Sequence, residues 1–214
     1  MNDISKGNLS RINSLSTDTC DTMLKTHWLL QQYSELKHVF FIPCDSHGLQ
    51  LLVKDVVTLP IFETTLNKAQ KIVKAFKKSP LQLARLHNLQ EELYDGKRKS
   101  LCLSVITCWG TQYRLIESVI NTKDALRRYV TTYGTKKELP YDASKFIDDE
   151  DQTFWSALER LRELLQPLDE AVRMSESEKS HLGTVIQRWE TIMRHLMLHV
   201  RYYCNMHKLP LLHE

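Results

Sequence analysis

Cys44 and His47 stand in a Cys-x-x-His spacing. At the start of a helix that spacing puts a thiol and an imidazole on one face, which is half of a zinc site if two more ligands converge. A second such pair, Cys204 and His207, and a helical i, i+4 pair, His195 and His199, are the available complements. Neither has the loop geometry of a finger, so an incidental helical pair is the simpler reading. Lys68, Lys71, Lys74, Lys77 and Lys78 recur along one predicted helix, and Lys97-Arg98-Lys99 follows in a loop. Such rows either track a phosphate backbone or form a solvated face. Trp109 is a core anchor or a stacking platform for an unpaired base. Asp18, just before a helical period, has the type and position of an N-cap.

The elements that must position these residues are mostly helical. Residues 1–16 have no sustained period and read as a disordered N-terminus. A helix is expected over about Cys20–Gln32, with Met23, His27 and Leu30 on one face. Val39–Ile42, β-branched and aromatic and stopped by Pro43, reads as a buried strand. A lone strand cannot satisfy its backbone groups, so residues 39–42 are expected to join a missing sheet or pair with another protein chain. Leu49, Leu52, Val53 and Val56 mark a helix over about Cys44–Leu59, and Leu66, Ala69, Ile72, Val73 and Phe76 another over about Ile61–Lys78. Pro80 opens a third, through Leu83, Leu86, Leu89 and Leu93. Leu101–Ile106 has an extended character. One long helix is expected over about Thr111–Tyr133, then a linker near 134–148. Asp148–Asp151 head a helix that buries Phe154, Trp155, Leu158, Leu161 and Leu165 and ends at Pro167. Ser175 and Glu178 fit a capping box for a last helix over about Ser177–Met206, burying Leu182, Val185, Ile186, Trp189, Met193, Leu196 and Val200.

Composition narrows the class. The 214 residues are 42% hydrophobic and 26% charged, with 6 Gly and 6 Pro, which favours a folded, helix-rich protein over disorder or a turn-rich β fold. A net charge of +3 is too mild to signal nucleic acid, so any basic patch must be local. No apolar run approaches the roughly 18 residues of a membrane span, so no membrane partner is expected. Five cysteines without framework spacing read as reduced thiols of a cytosolic or nuclear protein.

The stretch His38–Leu59, with Cys44, His47, Leu49, Leu51 and Asp55 in a C-x-x-H-x-L-x-L-x-x-x-D pattern, resembles the centre of hAT-type transposases, whose core is ribonuclease-H-like. Two further landmarks match in order: Thr17-Asp18-Thr19 before it and Thr107-Cys108-Trp109-Gly110-Thr111 after it. In the second, Cys108 replaces the family's arginine. Phe154-Trp155, Pro167 and Glu176–Ser180 also look like the family's helical insertion. The resemblance implies a mainly α protein: a partial ribonuclease-H-like core of one or two strands over 17–59, then an all-helical insertion of about six helices over 60–214.

It also implies metal-dependent DNA cleavage and strand transfer, in which two Asp and a Glu hold two Mg²⁺ or Mn²⁺ ions. Asp18 aligns with the second acid, as catalytic residue and metal ligand. The other acids are not recognisable, so the chain is expected to be an internal fragment that binds no metal and does not catalyse alone. DNA is the implied partner, contacted by Cys44, His47 and Trp109, with the lysine face (Lys68, Lys71, Lys74, Lys78) along its backbone, and the nucleus the implied location. The alternative is a domesticated, non-enzymatic helical module that binds DNA or a protein.

Overall fold

Parallel pairing of two short strands begins the fold, and helix packing completes it. The computed structural model describes residues 7–105, 110–134, 139–150 and 152–207, with side chains to 201. Among these residues the order is a 3-10 turn Leu9–Arg11, β1 Ser14–Thr17, α1 Asp21–Leu30, a 3-10 turn Ser34–Leu36, and β2 Phe40–Pro43. Then come α2 Asp45–Val57, α3 Pro60–Lys78, α4 Pro80–Leu93, α5 Gly110–Asn121, α6 Lys123–Tyr133, α7 Tyr141–Asp148, α8 Thr153–Ser175 and α9 Leu182–His207. The protein is mainly α, as expected. It divides into two compact units, Met1–Leu51 and Leu52–Glu214.

In the first unit β1 runs parallel to β2, with Ser14 opposite Phe40 and Thr17 opposite Pro43. This corrects two expectations. Residues 14–16, within the stretch 1–16 expected to be disordered, belong to β1, and the strand around 39–42 finds its partner within the chain. Alternation of apolar side chains was the wrong test, because the pairing is made by peptide groups. Phe40 N–H donates to Asn13 O (2.9 Å) and Cys44 N–H to Thr17 O (2.7 Å), so Ser14 and Ser16 keep exposed side chains. α1 presents Met23, His27 and Leu30 as its half-buried face. His27 stacks on Phe41 at 4.7 Å, and its Nε2 lies 2.8 Å from Thr17 Oγ1.

In the second unit α3 is central. It buries Leu66, Ala69, Ile72, Val73 and Phe76 and packs against α4, α5, α7 and α8. Ser79 links α3 to α4, its hydroxyl accepting the Gln82 N–H at 3.4 Å, with Pro80 in the first turn. After α4 the basic loop is not simply solvated. Arg98 pairs with Glu91 (2.6 Å), and Gln90 clamps both the N–H and the C=O of Lys99. Lys99 Nζ donates to Asn121 O (2.9 Å) over the Tyr94 ring. Arg98 and Lys99 are therefore engaged internally rather than arrayed for phosphate.

Several expected boundaries move, each for a local reason. The single helix over 111–133 is two, α5 and α6, broken at Thr122. That buried hydroxyl bonds back to Ser118 O (2.7 Å) and Val119 O (3.2 Å), offering the backbone an alternative to helix, and Lys99 takes the Asn121 carbonyl. Part of the stretch 134–148, expected as a linker, is helical, and residues 135–138 lie outside the described residues. Residues 141–148 form α7, whose Ala143 and Ile147 are buried against α3 and α6. The acidic start of α8 is as expected in kind. Asp149 accepts from Phe154 N–H (2.8 Å) and from Thr153 Oγ1 (3.0 Å), capping the helix.

Pro167 does not end α8 but sits inside it. Proline withholds the N–H that would bond to the carbonyl four residues back, here Glu163. His195 of α9 approaches that turn, its Nε2 3.2 Å from Leu164 O. The imidazole thus contacts the turn next to the freed carbonyl, while Leu164, Leu165, Leu168 and Ala171 hold both turns in the core. Ser175 forms no capping box. It ends α8 and donates back to Val172 O (2.7 Å). On α9 the buried positions are Arg188 and Ile192, while Val185, Trp189 and Leu196 are half-buried and Leu182, Ile186, Met193 and Val200 are exposed. α8 alone packs along α9 among the helices with substantial contact, and one neighbour covers a narrower arc than the apolar stripe.

Two outcomes are expected. Trp155 is buried and its Nε1 donates to Ile147 O (3.1 Å). Trp155→Ala should cost about 3–5 kcal/mol in urea unfolding, whereas Trp28→Ala, at a side chain 60% exposed, should stay within roughly 0.5 kcal/mol. Equal losses would contradict this core. His195 is held below its ordinary value of 6.5, first by burial and then by the charge of His199. The unfolded ring therefore takes up its proton at higher pH than the folded one. Its contribution is full above 6.5 and lost as pH falls through the lower folded value. The melting temperature should fall between pH 7 and pH 5 by more in the wild type than in His195→Gln; identical losses would refute this assignment.

Candidate functional site

In the first unit the parallel pair gathers chemistry at the carboxyl ends of its strands. Asp18 follows β1, Cys44 follows β2, and His47 lies in the first turn of α2. Pairing of the strands brings Cys44 beside the end of β1 through its bond to Thr17 O. Asp18 is exposed, and its Oδ1 accepts the Cys20 N–H at 3.2 Å. The Cys20 side chain and then this N–H hold the Asp18 carboxyl below the usual carboxylate range, and His47 adds a favourable charge. Asp18 is not an N-cap in the strict sense. The cap position of α1 is Cys20, and Asp18 makes a turn two residues ahead of it. Asp18 and the sequence-distant pair Cys44 and His47 thus share one end of a parallel pair, which in open parallel sheets is the ligand-binding end.

This cluster suits oxygen-ligated metal only in part. Mg²⁺ and Mn²⁺ take several oxygen ligands, and Asp18 offers one ionised carboxylate. Among the described residues no three His, Cys, Asp or Glu side chains converge on one point. The His195–His199 pair is engaged within the helices. Its rings stack at 4.2 Å, with His195 Nε2 on Leu164 O and His199 Nδ1 3.0 Å from His195 O. The side chains of Cys204 and His207 lie outside the described residues, as does Trp109. Of the motif around Trp109, Gly110 opens α5 and Thr111 Oγ1 bridges the N–H (2.8 Å) and C=O (3.2 Å) of Val105.

The second unit carries the lysine face. With the apolar stripe of α3 turned inward, Lys71, Lys74, Lys77 and Lys78 are exposed and Lys68 is half-buried. Lys68 and Lys71 stand 5.4 and 5.9 Å from the centre of the Phe146 ring, a cation–π seat supplied by α7. Lys71 also pairs with Asp142 at 3.3 Å, both side chains more than half exposed. Lys71, Lys74 and Lys78 form one wall of an open groove of about 390 Å³, and Pro140, Tyr141, Asp142 and Ala143 form the other. Tyr141 and Phe146 were not singled out by sequence, because they fall in the supposed linker. The signal that would have found them is the apolar i, i+4 pair Ala143 and Ile147 just after Pro140.

Residues 42–145 match the family described as the ZBED1 RNase-like helical domain. Over 93 residues, 44% of this chain, the sequence is 33% identical to two Zea mays proteins named "Putative AC transposase" and "Putative AC9 transposase". The matched stretch spans 11% of the length of each relative. No solved structure matches.

The lysine face makes an electrostatic prediction of its own. Asp142→Asn should release Lys71 and raise the salt needed to elute the protein from a polyanion column. Because an exposed ion pair is worth little, unfolding free energy should change by less than about 1 kcal/mol. Unchanged or earlier elution would show that Asp142 does not restrain this face.

Proposed function

This chain is a relative of the hAT-type transposases, and from that premise we propose that its helical unit is a DNA-binding module of such an enzyme. The observation that carries the reading is the lysine row on α3, where Lys68, Lys71, Lys74 and Lys78 face outward and α7 seats two of them over an aromatic ring. Point charges spaced along a rigid helix neutralise successive phosphates and release counterions. They position a DNA backbone without reading its sequence. We place this action in the nucleus.

Asp18 belongs to a second part of the proposal. It is one carboxylate of a Mg²⁺- or Mn²⁺-dependent strand-cleavage centre, and Cys44 and His47 shape the DNA side of the same strand end. Supporting this are its exposure, its depressed pKa and its place after β1. When bound, the metals would activate the attacking oxygen and steady the leaving one. The remaining carboxylates would be supplied by other parts of a complete enzyme, and the chain by itself is inactive.

The test is duplex DNA affinity as a function of salt. The logarithm of the binding constant should fall linearly with the logarithm of salt concentration. The quadruple change Lys68→Ala, Lys71→Ala, Lys74→Ala, Lys78→Ala should reduce the slope by about 3–4. Affinity indifferent to salt, or a slope unmoved by the four changes, would sink the reading.

A further inference from the structure

We infer that the groove between α3 and α7 takes an unpaired nucleotide, with Tyr141 as the stacking platform for its base and Lys74 and Lys78 on its phosphates. The inference rests on the DNA-binding reading above and specifies which form of DNA this face holds.

Three observations converge. Tyr141 is a large aromatic side chain 78% exposed, at the head of a helix whose Ala143 and Ile147 are firmly buried. The helix therefore presents it at the surface, and no hydrogen bond or ring contact within the described residues occupies its faces. It lines the same groove as Lys71, Lys74 and Lys78. Lys74 and Lys78 have no acidic partner among the described residues, whereas Lys71 is occupied by Asp142. The groove, at about 390 Å³, lies in the size range of small-molecule sites, about 300–1,000 Å³. That is room for a single nucleotide and far too little for a duplex.

An aromatic face beside free ammonium groups is the combination that binds single strands. Stacking serves any base, and the cations hold the backbone. In duplex DNA the base faces are already stacked on one another, so Tyr141 gains nothing from a paired helix, while the lysines serve both forms. The Asp142 carboxylate in the same wall repels phosphate at the Lys71 end. It sets the polarity of the groove, leaving the Lys74–Lys78 end for the anion.

The test uses the full chain and two fluorescent probes: a twelve-residue oligothymidylate and a duplex of the same length. Tyr141→Ala should weaken binding of the single strand about ten-fold, leaving duplex affinity and its salt slope unchanged. Tyr141→Phe should bind as the wild type does. Thermal melting of both variants should match the wild type, since the side chain is exposed. If duplex binding is intact and strand binding ignores Tyr141→Ala, this inference is overturned and the lysine reading stands. Equal weakening of both probes overturns it too, because a stacking role is strand-selective. If neither probe binds the wild type in low salt, both readings fall.

Discussion

The inward turn of one helix face governs the second unit. Ile72, Val73 and Phe76 are wholly buried on α3, and each such side chain contributes about 1.5–3 kcal/mol when removed from water. Lys71, Lys74 and Lys78 alternate with them at helical spacing. Rotating α3 by one residue would expose part of that stripe and drive a lysine into the core, where desolvating an ammonium costs several kcal/mol. The apolar stripe therefore fixes the orientation of the cations, and the cations forbid the alternative registers of the stripe. α7 exploits the result. It buries Ala143 and Ile147 beneath and sets Phe146 under two lysines and Tyr141 at their edge.

A different constraint operates on α8. A proline in a helix interior costs about 3 kcal/mol or more, yet Pro167 is retained between buried Leu164, Leu165 and Leu168. Core burial on both sides of the proline outweighs one lost backbone bond. The imidazole of His195 approaches the carbonyls of the weakened turn. The same contact registers α9 on α8, since it fixes which turn of one helix faces which turn of the other. It also makes that register sensitive to protonation, because burial opposes charge on the ring.

What could be read from the sequence follows from these same facts. The stripe of α3 was legible because burial there obeys a single period, and the five residues expected inside are inside. Where a tertiary partner decides, sequence reasoning failed. Pro167 reads as a stop only if nothing buries the turns on either side of it. The helix break at Thr122 is one that no period records. Tyr141–Asp148 reads as a linker because Gly134 and Pro140 flank it, although Pro140 occupies the cap position of the helix it introduces. On α9 the apolar stripe is real, but a stripe says only what water disfavours. Among the described residues the one helix packed along it covers the Arg188–Ile192 line instead.

The strand end illustrates the remaining step, from pairing to chemistry. Asp18 is far in sequence from the Cys44–His47 pair, and no periodicity links it to them. A parallel pair needs a crossover between its strands, here the segment containing α1, and parallel direction puts both carboxyl ends at the same edge. Whatever residues follow the two strands must then be neighbours, which is how a carboxylate and an imidazole come within electrostatic reach. The polar character of β1 is no obstacle, because backbone groups make the pairing. The Cys-x-x-His spacing thus has a reading that does not depend on zinc. It places Cys44 at the strand terminus and His47 one helical turn on, at the same edge where β1 ends and Asp18 follows.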